Sequence, residues 1–239
     1  MKTLSIIIAC YNEQKNIADT IKRVHKVVPK AEIIVVDDGS TDKTMEVAGY
    51  ALLKNKVKRS KIVKYRPNRG KGYAIKQGVL IATGDIQAQV DADCQFQPEE
   101  LPRLLKPIYD GECDITFCTR FKPEASYEKG SVTKARRIAN GVVSTMTSVL
   151  SGRYGPTNML TDINAGFKAW TKEAIDDIDF RCPHFGYEGE IAILAHKKGY
   201  KIIEVPINYK KRLEGNTNVN LLREGIIIPL YFLKTWLFR

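Results

Sequence analysis

Two carboxylates and a carboxamide stand at alternate positions in Asp91-Ala92-Asp93-Cys94-Gln95, directly after a strand-like segment from Asp85 to Val90. Hard oxygen donors in that pattern suit Mg²⁺ or Mn²⁺, which keep several waters and take phosphate oxygens as further ligands. Asp is also common in solvated turns, so the position after a buried strand is what favours a metal site. A second acidic group, Asp37-Asp38-Gly39-Ser40-Thr41-Asp42, offers a helix cap with acids near the positive end of the dipole. Asp38 is equally placed to accept a hydrogen bond from the N–H of a nucleotide base. The glycine loop Asn68-Arg69-Gly70-Lys71-Gly72 has neither the spacing of a P-loop nor that of a dinucleotide fingerprint, which weighs against kinase and dehydrogenase chemistry. Its backbone can still approach a ligand closely, with Arg69 and Lys71 beside it.

These groups need a scaffold, and the apolar pattern supplies one. Leu4 to Cys10 is an unbroken, isoleucine-rich run that suits a strand buried on both faces. Ile17, Ile21, Val24 and Val28 recur at helical spacing, Pro29 closes that helix, and Ile33 to Val36 is the next strand. Ser40-Thr41-Asp42 can cap a second helix carrying Met45 and Val47, followed by a strand from Lys61 to Tyr65. A helix from about Tyr73 to Ala82 leads into the strand before Asp91. Strands alternating with crossover helices predict a parallel, doubly wound α/β sheet. Ligands bind such sheets beyond the carboxyl ends of the strands, and three of these four strands run into polar groups there: Tyr11-Asn12-Glu13, Asp37-Asp38 and Asp91-Ala92-Asp93. Farther on come a strand near Ile115 to Cys118, a helix from about Thr133 to Leu150, the segment Gly166 to Trp170, a helix from Glu188 to Lys198 and a strand Ile202 to Val205.

The 239 residues, 44% hydrophobic, are enough for one sizeable core, and no linker or repeat divides them. The net charge of +11 favours anionic partners: phosphorylated substrates, an anionic membrane face or nucleic acid. Cys10, Cys94, Cys113, Cys118 and Cys182 form no CxxC pair, which disfavours a zinc or thioredoxin-like centre and predicts reduced, mostly buried thiols of a cytosolic protein. Met1-Lys2-Thr3 and the early Asn12 and Glu13 leave no room for a signal peptide. His25, His184 and His196 have no spacing that suggests a metal site or a triad.

Taken in order, the motifs resemble the family 2 glycosyltransferases of GT-A fold, especially the dolichyl-phosphate mannose and glucose synthases. The resemblance is carried by Tyr11-Asn12-Glu13, Asp37-Asp38-Gly39-Ser40, Asn68-Arg69-Gly70-Lys71-Gly72, Asp91-x-Asp93-x-Gln95, Asn164-Ala165-Gly166-Phe167-Lys168, and Val205-Pro206-Ile207 leading to Arg212. It implies a metal-dependent, inverting hexosyltransferase. Ala9, Tyr11, Glu13, Val36, Asp38, Lys71, Asp91, Ala92 and Asp93 would bind the nucleotide-sugar donor, and Asp91, Asp93 and Gln95 would hold Mg²⁺ or Mn²⁺. Asp93, Arg120, Arg136 and Arg212 would carry the catalytic charges. Two departures stand out: Ala9 replaces a usual proline, and Gly215-Asn216-Thr217-Asn218 lacks the lysine that usually follows the late arginine, leaving Arg212 as that loop's main cation.

Arg136 and Asn140 project from one face of their helix, a turn apart, where similar enzymes bind a lipid phosphate; Arg137 is a rival for the arginine's role. Transfer to a polyprenyl (dolichyl) phosphate at the cytosolic membrane face is the leading expectation. A soluble relative acting on a sugar hydroxyl, with Glu188 or Glu190 as base, is the alternative. A basic nucleic-acid-binding module is the competing non-enzymatic reading, and nucleic acid is not expected as a partner. Residues 1–220 are expected to form the transferase domain and 221–239 an amphipathic helix. The uncharged run Gly225 to Leu233 falls well short of the ~20 residues that span a bilayer. Tyr231, Phe232 and Trp236 with flanking cations suit a helix lying in the membrane interface, or one packed on the domain, on a second copy or on a membrane subunit.

Overall fold

A computed structural model describes residues 2–155, 157–211 and 221–239, the side chains of the last stretch from residue 227 onward. The expected βαβ order is present: β1 (Leu4–Cys10), α1 (Ile17–Val27), β2 (Glu32–Asp37), α2 (Thr44–Lys54), β3 (Ser60–Lys64), α3 (Lys71–Ile81) and β4 (Ile86–Asp91). The second half adds α4 (Leu101–Tyr109), β5 (Ile115–Thr119), α5 (Lys134–Leu150), β6 (Lys168–Thr171), α6 (Lys172–Ile178), α7 (Tyr187–Lys197), β7 (Ile202–Pro206) and α8 (Leu221–Phe238). The strands form one sheet in the order β3-β2-β1-β4-β6-β5-β7. It is parallel except for β6, which runs antiparallel to both β4 and β5. This is a mostly parallel, doubly wound α/β sheet of the GT-A kind.

Period-two alternation along the strands sends side chains into two cores. Ile6 and Ile8 of β1, with Ile33 and Val35 of β2, pack under α1, α2 and α4, whereas Ile7, Ile34 and Val36 face α3 and the helices of the second half. Helix α4 is an element that the sequence reading passed over. It buries Leu101, Leu104, Leu105 and Ile108 at helical spacing even though Pro107 lies inside it.

Helix α8 packs on α5 and α7. Ile228, Phe232 and Thr235 are buried there, and Phe232 lies so close to α7 that a Cβ on Gly189 would fall 2.0 Å from its ring. The outward face is apolar too: Leu230, Leu233, Leu237 and Phe238 are exposed, as are Ile138 and Val142 on α5. No described helix is long and apolar enough to cross a membrane. No disulfide links the five cysteines, all of which are buried.

Candidate active site

Register places the first site residues in one row. Ala9 pairs with Val36 on one side and with Asp91 on the other, at the carboxyl ends of β1, β2 and β4. The loop after β1 is tied to the loop after β2. Asn12, at φ +56°, donates its N–H to Ser40 Oγ (2.9 Å) and accepts from Thr41 N–H through Oδ1 (2.8 Å), while Glu13 N–H donates to Thr44 Oγ1 (2.8 Å). Glu13 also accepts from Asn16 Nδ2 at 2.7 Å, and Tyr11 is half-buried beside it in sequence. Ser40 and Thr41 therefore join loops, and the start of α2 is capped by Asp42, whose Oδ1 accepts from Thr44 N–H at 3.0 Å.

Asp38 is buried, and both its carboxylate oxygens accept backbone N–H groups, from Arg69 (2.7 Å) and Gly70 (2.9 Å). It anchors the glycine loop. The glycines themselves allow close packing against protein backbone. A Cβ on Gly70 would lie 2.5 Å from the Pro183 carbonyl oxygen, and one on Gly72 2.2 Å from that of Cys182. Arg69 stacks on Tyr73, its Cζ 4.9 Å from the ring centre, and donates to that hydroxyl at 2.8 Å.

The loop delivers Lys71 to Asp91. Its Nζ lies 2.8 Å from Asp91 Oδ1 and 4.0 Å from Glu188 Oε1. Burial alone would lower the lysine's pKa, but the Asp91 and Glu188 carboxylates hold it well above its ordinary value, so the ammonium stays charged. Glu188 is fully buried; its Oε1 accepts from Lys168 Nζ (3.0 Å) and Tyr187 OH (3.1 Å), and its Oε2 has no hydrogen-bond partner among the described residues. Asp91 is boxed in from the other side by Gly166, where a Cβ would fall 1.8 Å from Asp91 Oδ2. Ala92 is buried, and its carbonyl accepts from Thr20 Oγ1 at 2.8 Å, which holds the turn. Asp93 and Gln95 are half-buried; Asp93 Oδ1 accepts from Gln95 N–H (3.1 Å), and Gln95 Nε2 donates to the Lys210 carbonyl (3.4 Å).

Among the described residues no three His, Cys, Asp or Glu side chains converge as a ready-made cage. Two carboxylates at a strand end, one already holding a cation, fit a hard divalent ion that draws its other ligands from water and phosphate.

The other expected site residues divide. Arg120 forms a bidentate pair with buried Asp162 (Nε–Oδ2 2.6 Å, Nη2–Oδ1 2.7 Å) and lies over the Tyr209 ring, its Cζ 4.8 Å from the centre. Burial pushes the Tyr209 phenol up to about 12, so it is neutral. Asn140 is buried, donating to the Thr161 carbonyl (3.1 Å) and accepting from Asn164 N–H (3.4 Å). Its carboxamide thus holds the segment leading to Gly166. Arg137 is engaged as well, by Tyr127 OH at 3.1 Å and by the Phe121 ring. The half-buried side chain of Arg136 makes no hydrogen bond or ion pair among the described residues. Both Glu190 oxygens have partners: one accepts the N–H groups of Arg181 (2.9 Å) and Cys182 (2.7 Å), and the other faces Tyr231 and Arg239. Arg212 and Gly215-Asn216-Thr217-Asn218 lie outside the described residues.

Sequence reasoning quoted Lys168 within a motif without foreseeing its partner, and missed Glu204. Lys168 is fully buried at the start of β6 against Glu188, and Glu204 accepts from the N–H groups of Thr161 (2.7 Å) and Asp162 (3.1 Å). A lysine inside an otherwise apolar segment was the available signal for the first. The second had none, because its partners come from distant loops.

Comparison with known proteins bears on what such a site does. In fold, the chain is similar to the crystal structure of glucosyl-3-phosphoglycerate synthase from Mycobacterium tuberculosis in complex with Mn²⁺, UDP and phosphoglyceric acid, with a TM-score of 0.70, 22% identity, and coverage of 99% of this chain and 78% of that one. It is 30% identical over 230 residues to the glycosyltransferase AglJ of Haloferax volcanii, covering 94% of this chain and 69% of that protein. Identity to the polyprenol monophosphomannose synthase of Mycolicibacterium smegmatis is 29%, over 88% of this chain and 78% of the relative. The dolichol-phosphate mannosyltransferase of Pyrococcus furiosus is 28% identical over 98% of this chain, which spans only 64% of that longer protein. The model of glycosyl transferase family 2 matches residues 5–175, a stretch that holds Asp38, Lys71, Asp91, Asp93 and Gly166 together; the chain belongs to that family and is a glycosyltransferase.

Proposed function

We propose that the protein transfers a hexose from a UDP- or GDP-sugar to a polyprenyl phosphate, with inversion at the anomeric carbon. The observation that carries this reading is a chain of contacts between donor carboxylates and acceptor cation. Gly166 borders Asp91, the preceding Asn164 binds Asn140 of α5, and one turn earlier on that helix the guanidinium of Arg136 is unengaged among the described residues. An anion approaching along α5 meets Arg136 beside the segment that seats the donor site.

Asp91 and Asp93 would hold Mg²⁺ or Mn²⁺. Bound there, the metal supplies Lewis-acid stabilisation of the departing nucleoside diphosphate. Lys71 adds a second positive charge at the same place, and Asp38 keeps the loop that carries it in position. Ala9, Tyr11, Glu13 and the Val36 main chain would line the donor side of the row. A phosphate monoester has a second pKa near ~6 and is largely dianionic at neutral pH, so it attacks without a general base. That agrees with the commitment of both Glu190 oxygens to structural partners. Catalysis then rests on holding the acceptor anion in line with the anomeric carbon. The exposed apolar side chains of α5 and α8 suit the margin of a membrane, where a polyprenyl tail resides.

The test is nucleotide release from a panel of UDP- and GDP-sugars with Mn²⁺ or Mg²⁺, offered a polyprenyl phosphate, the corresponding polyprenol, or a soluble sugar. Release that requires the polyprenyl phosphate supports the reading. Release with a sugar hydroxyl and not with the lipid phosphate refutes it.

A further inference from the structure

Asp91 and the three buried or half-buried charges behind it, Lys71, Glu188 and Lys168, are arranged asymmetrically. Lys71 lies 2.8 Å from Asp91 Oδ1, on a carboxylate that the proposed metal site needs, and 4.0 Å from Glu188. Glu188 directs both of its hydrogen bonds, from Lys168 and Tyr187, to Oε1. Its Oε2 is buried with no hydrogen-bond partner among the described residues, an unusual state for a carboxylate oxygen in a fully buried residue. A divalent ion arriving at Asp91 would repel the ammonium beside it, strongly so in a site of low dielectric. Lysine is a compact charge on a flexible stem, and a movement of roughly 1 Å closes the 4.0 Å gap to Glu188 Oε1 to hydrogen-bond distance.

We propose that Lys71 is a placeholder cation that neutralises Asp91 before the metal binds and passes to the buried carboxylate of Glu188 when the metal takes Asp91. Glu188 is then a positioning residue for metal loading and not a base. Lys71, drawn back by about one bond length, keeps its charge at the edge of the donor site while releasing the ligand. The inference rests on the assignment of the metal to Asp91 and Asp93.

The test is Mn²⁺ affinity of the full chain, read from the loss of the free-ion electron paramagnetic resonance signal, for wild type, Lys71→Met, Glu188→Gln and the double variant. With Lys71 present, Glu188→Gln should weaken Mn²⁺ binding roughly tenfold or more, and in the Lys71→Met background by no more than about twofold. Equal losses in the two backgrounds would mean that Glu188 acts only through its field, and would overturn the exchange. A crystal structure of the wild type with Mn²⁺ and UDP gives an answer that does not depend on the variants folding. Lys71 Nζ within hydrogen-bond distance of Glu188 and detached from Asp91 is the expected result. Lys71 still bound to Asp91 beside Mn²⁺ overturns the exchange and leaves the metal assignment standing, whereas saturating Mn²⁺ that fails to occupy Asp91 and Asp93 overturns both.

Discussion

Gly166→Ala adds one methyl group at the point where the structure has least room for it. The new Cβ would lie 1.8 Å from Asp91 Oδ2 and 2.3 Å from its Cγ, against the roughly 3.2 Å that a carbon and an oxygen need. The Asp91 carboxylate must therefore retreat by about 1.4 Å, since it is the end of a side chain, whereas Gly166 sits in the backbone between buried Ala165 and Phe167. That retreat breaks the 2.8 Å contact with Lys71 and withdraws an oxygen from the proposed metal site. Misplacement of a reacting or ligating group by 1 Å costs on the order of 100-fold in rate. Donor-dependent turnover should accordingly fall about 100-fold, with Mn²⁺ affinity reduced and the circular-dichroism spectrum unchanged. Turnover within about threefold of wild type, in a variant whose crystal structure shows the Asp91 carboxylate unmoved, would refute the reasoning.

Asp93→Asn keeps the shape of the turn and removes a charge, so turnover should be lost with folding intact; unchanged activity at saturating Mn²⁺ and Mg²⁺ would sink the metal assignment. Arg136→Ala should cost roughly ten- to hundredfold in kcat/KM for polyprenyl phosphate, the loss of one charge-assisted hydrogen bond, with donor affinity unchanged. Arg137→Ala, already engaged by Tyr127 and Phe121, should cost less, and a larger loss there would show that the face of α5 has been misassigned. Glu32 gives a pH-dependent stability effect. Burial raises its pKa, but Lys61, Ser5 and Thr83 more than offset this and hold it at about 2 against an ordinary 4.5. A depressed native value means that the unfolded chain takes up the proton first, so the stabilisation is full above about pH 4.5 and is lost as pH falls towards about 2. Denaturant melts of Glu32→Gln should show a loss on the order of 3 kcal/mol at neutral pH that disappears over that window, and a loss constant with pH would contradict the assignment.

How much of this was legible in the sequence depends on what buries each residue. β1 and β2 announce themselves because both faces are covered, so Ile6-Ile7-Ile8 and Ile33-Ile34-Val35-Val36 carry the pattern alone. The turn residues Asp38 and Asp91 were legible as strand ends, and Ala9, Val36 and Asp91 fall in one row as parallel pairing requires. Their partners were not legible. Nothing in the sequence around Asp38 shows that Arg69 and Gly70 donate to it, nor around Asn140 and Glu190 that backbone groups of Asn164 and Cys182 meet them. Helix α4 was hidden by Pro102 and Pro107, although Leu101, Leu104, Leu105 and Ile108 keep the helical period. The structure attaches α8 by Phe232 and Ile228 while leaving Leu230 and Leu237 outward, a division that an amphipathic pattern alone does not make.

One topological fact explains why the second half of the chain reaches the first at all. Had β6 been parallel like its neighbours, the segment before it would enter at the amino end of the sheet, far from Asp91. Because β6 is antiparallel, with Lys168 opposite Gln89 and Thr171 opposite Ile86, the residues just before it lie beyond the carboxyl end of β4. Gly166 is thereby set against Asp91, Lys168 enters the core beside Glu188, and Asn164 meets α5. The same strand pairs β5, so the carboxyl ends of β4 and β5 border one segment, and Arg120 at the end of β5 closes on its Asp162. The lysine that opens β6 is the local cost of that arrangement: a charge buried at a strand start is tolerated only where a carboxylate meets it, and Glu188 is that carboxylate. Reversal of a single strand thus brings α5, Asp91 and the Lys71–Glu188 pair to one end of the sheet.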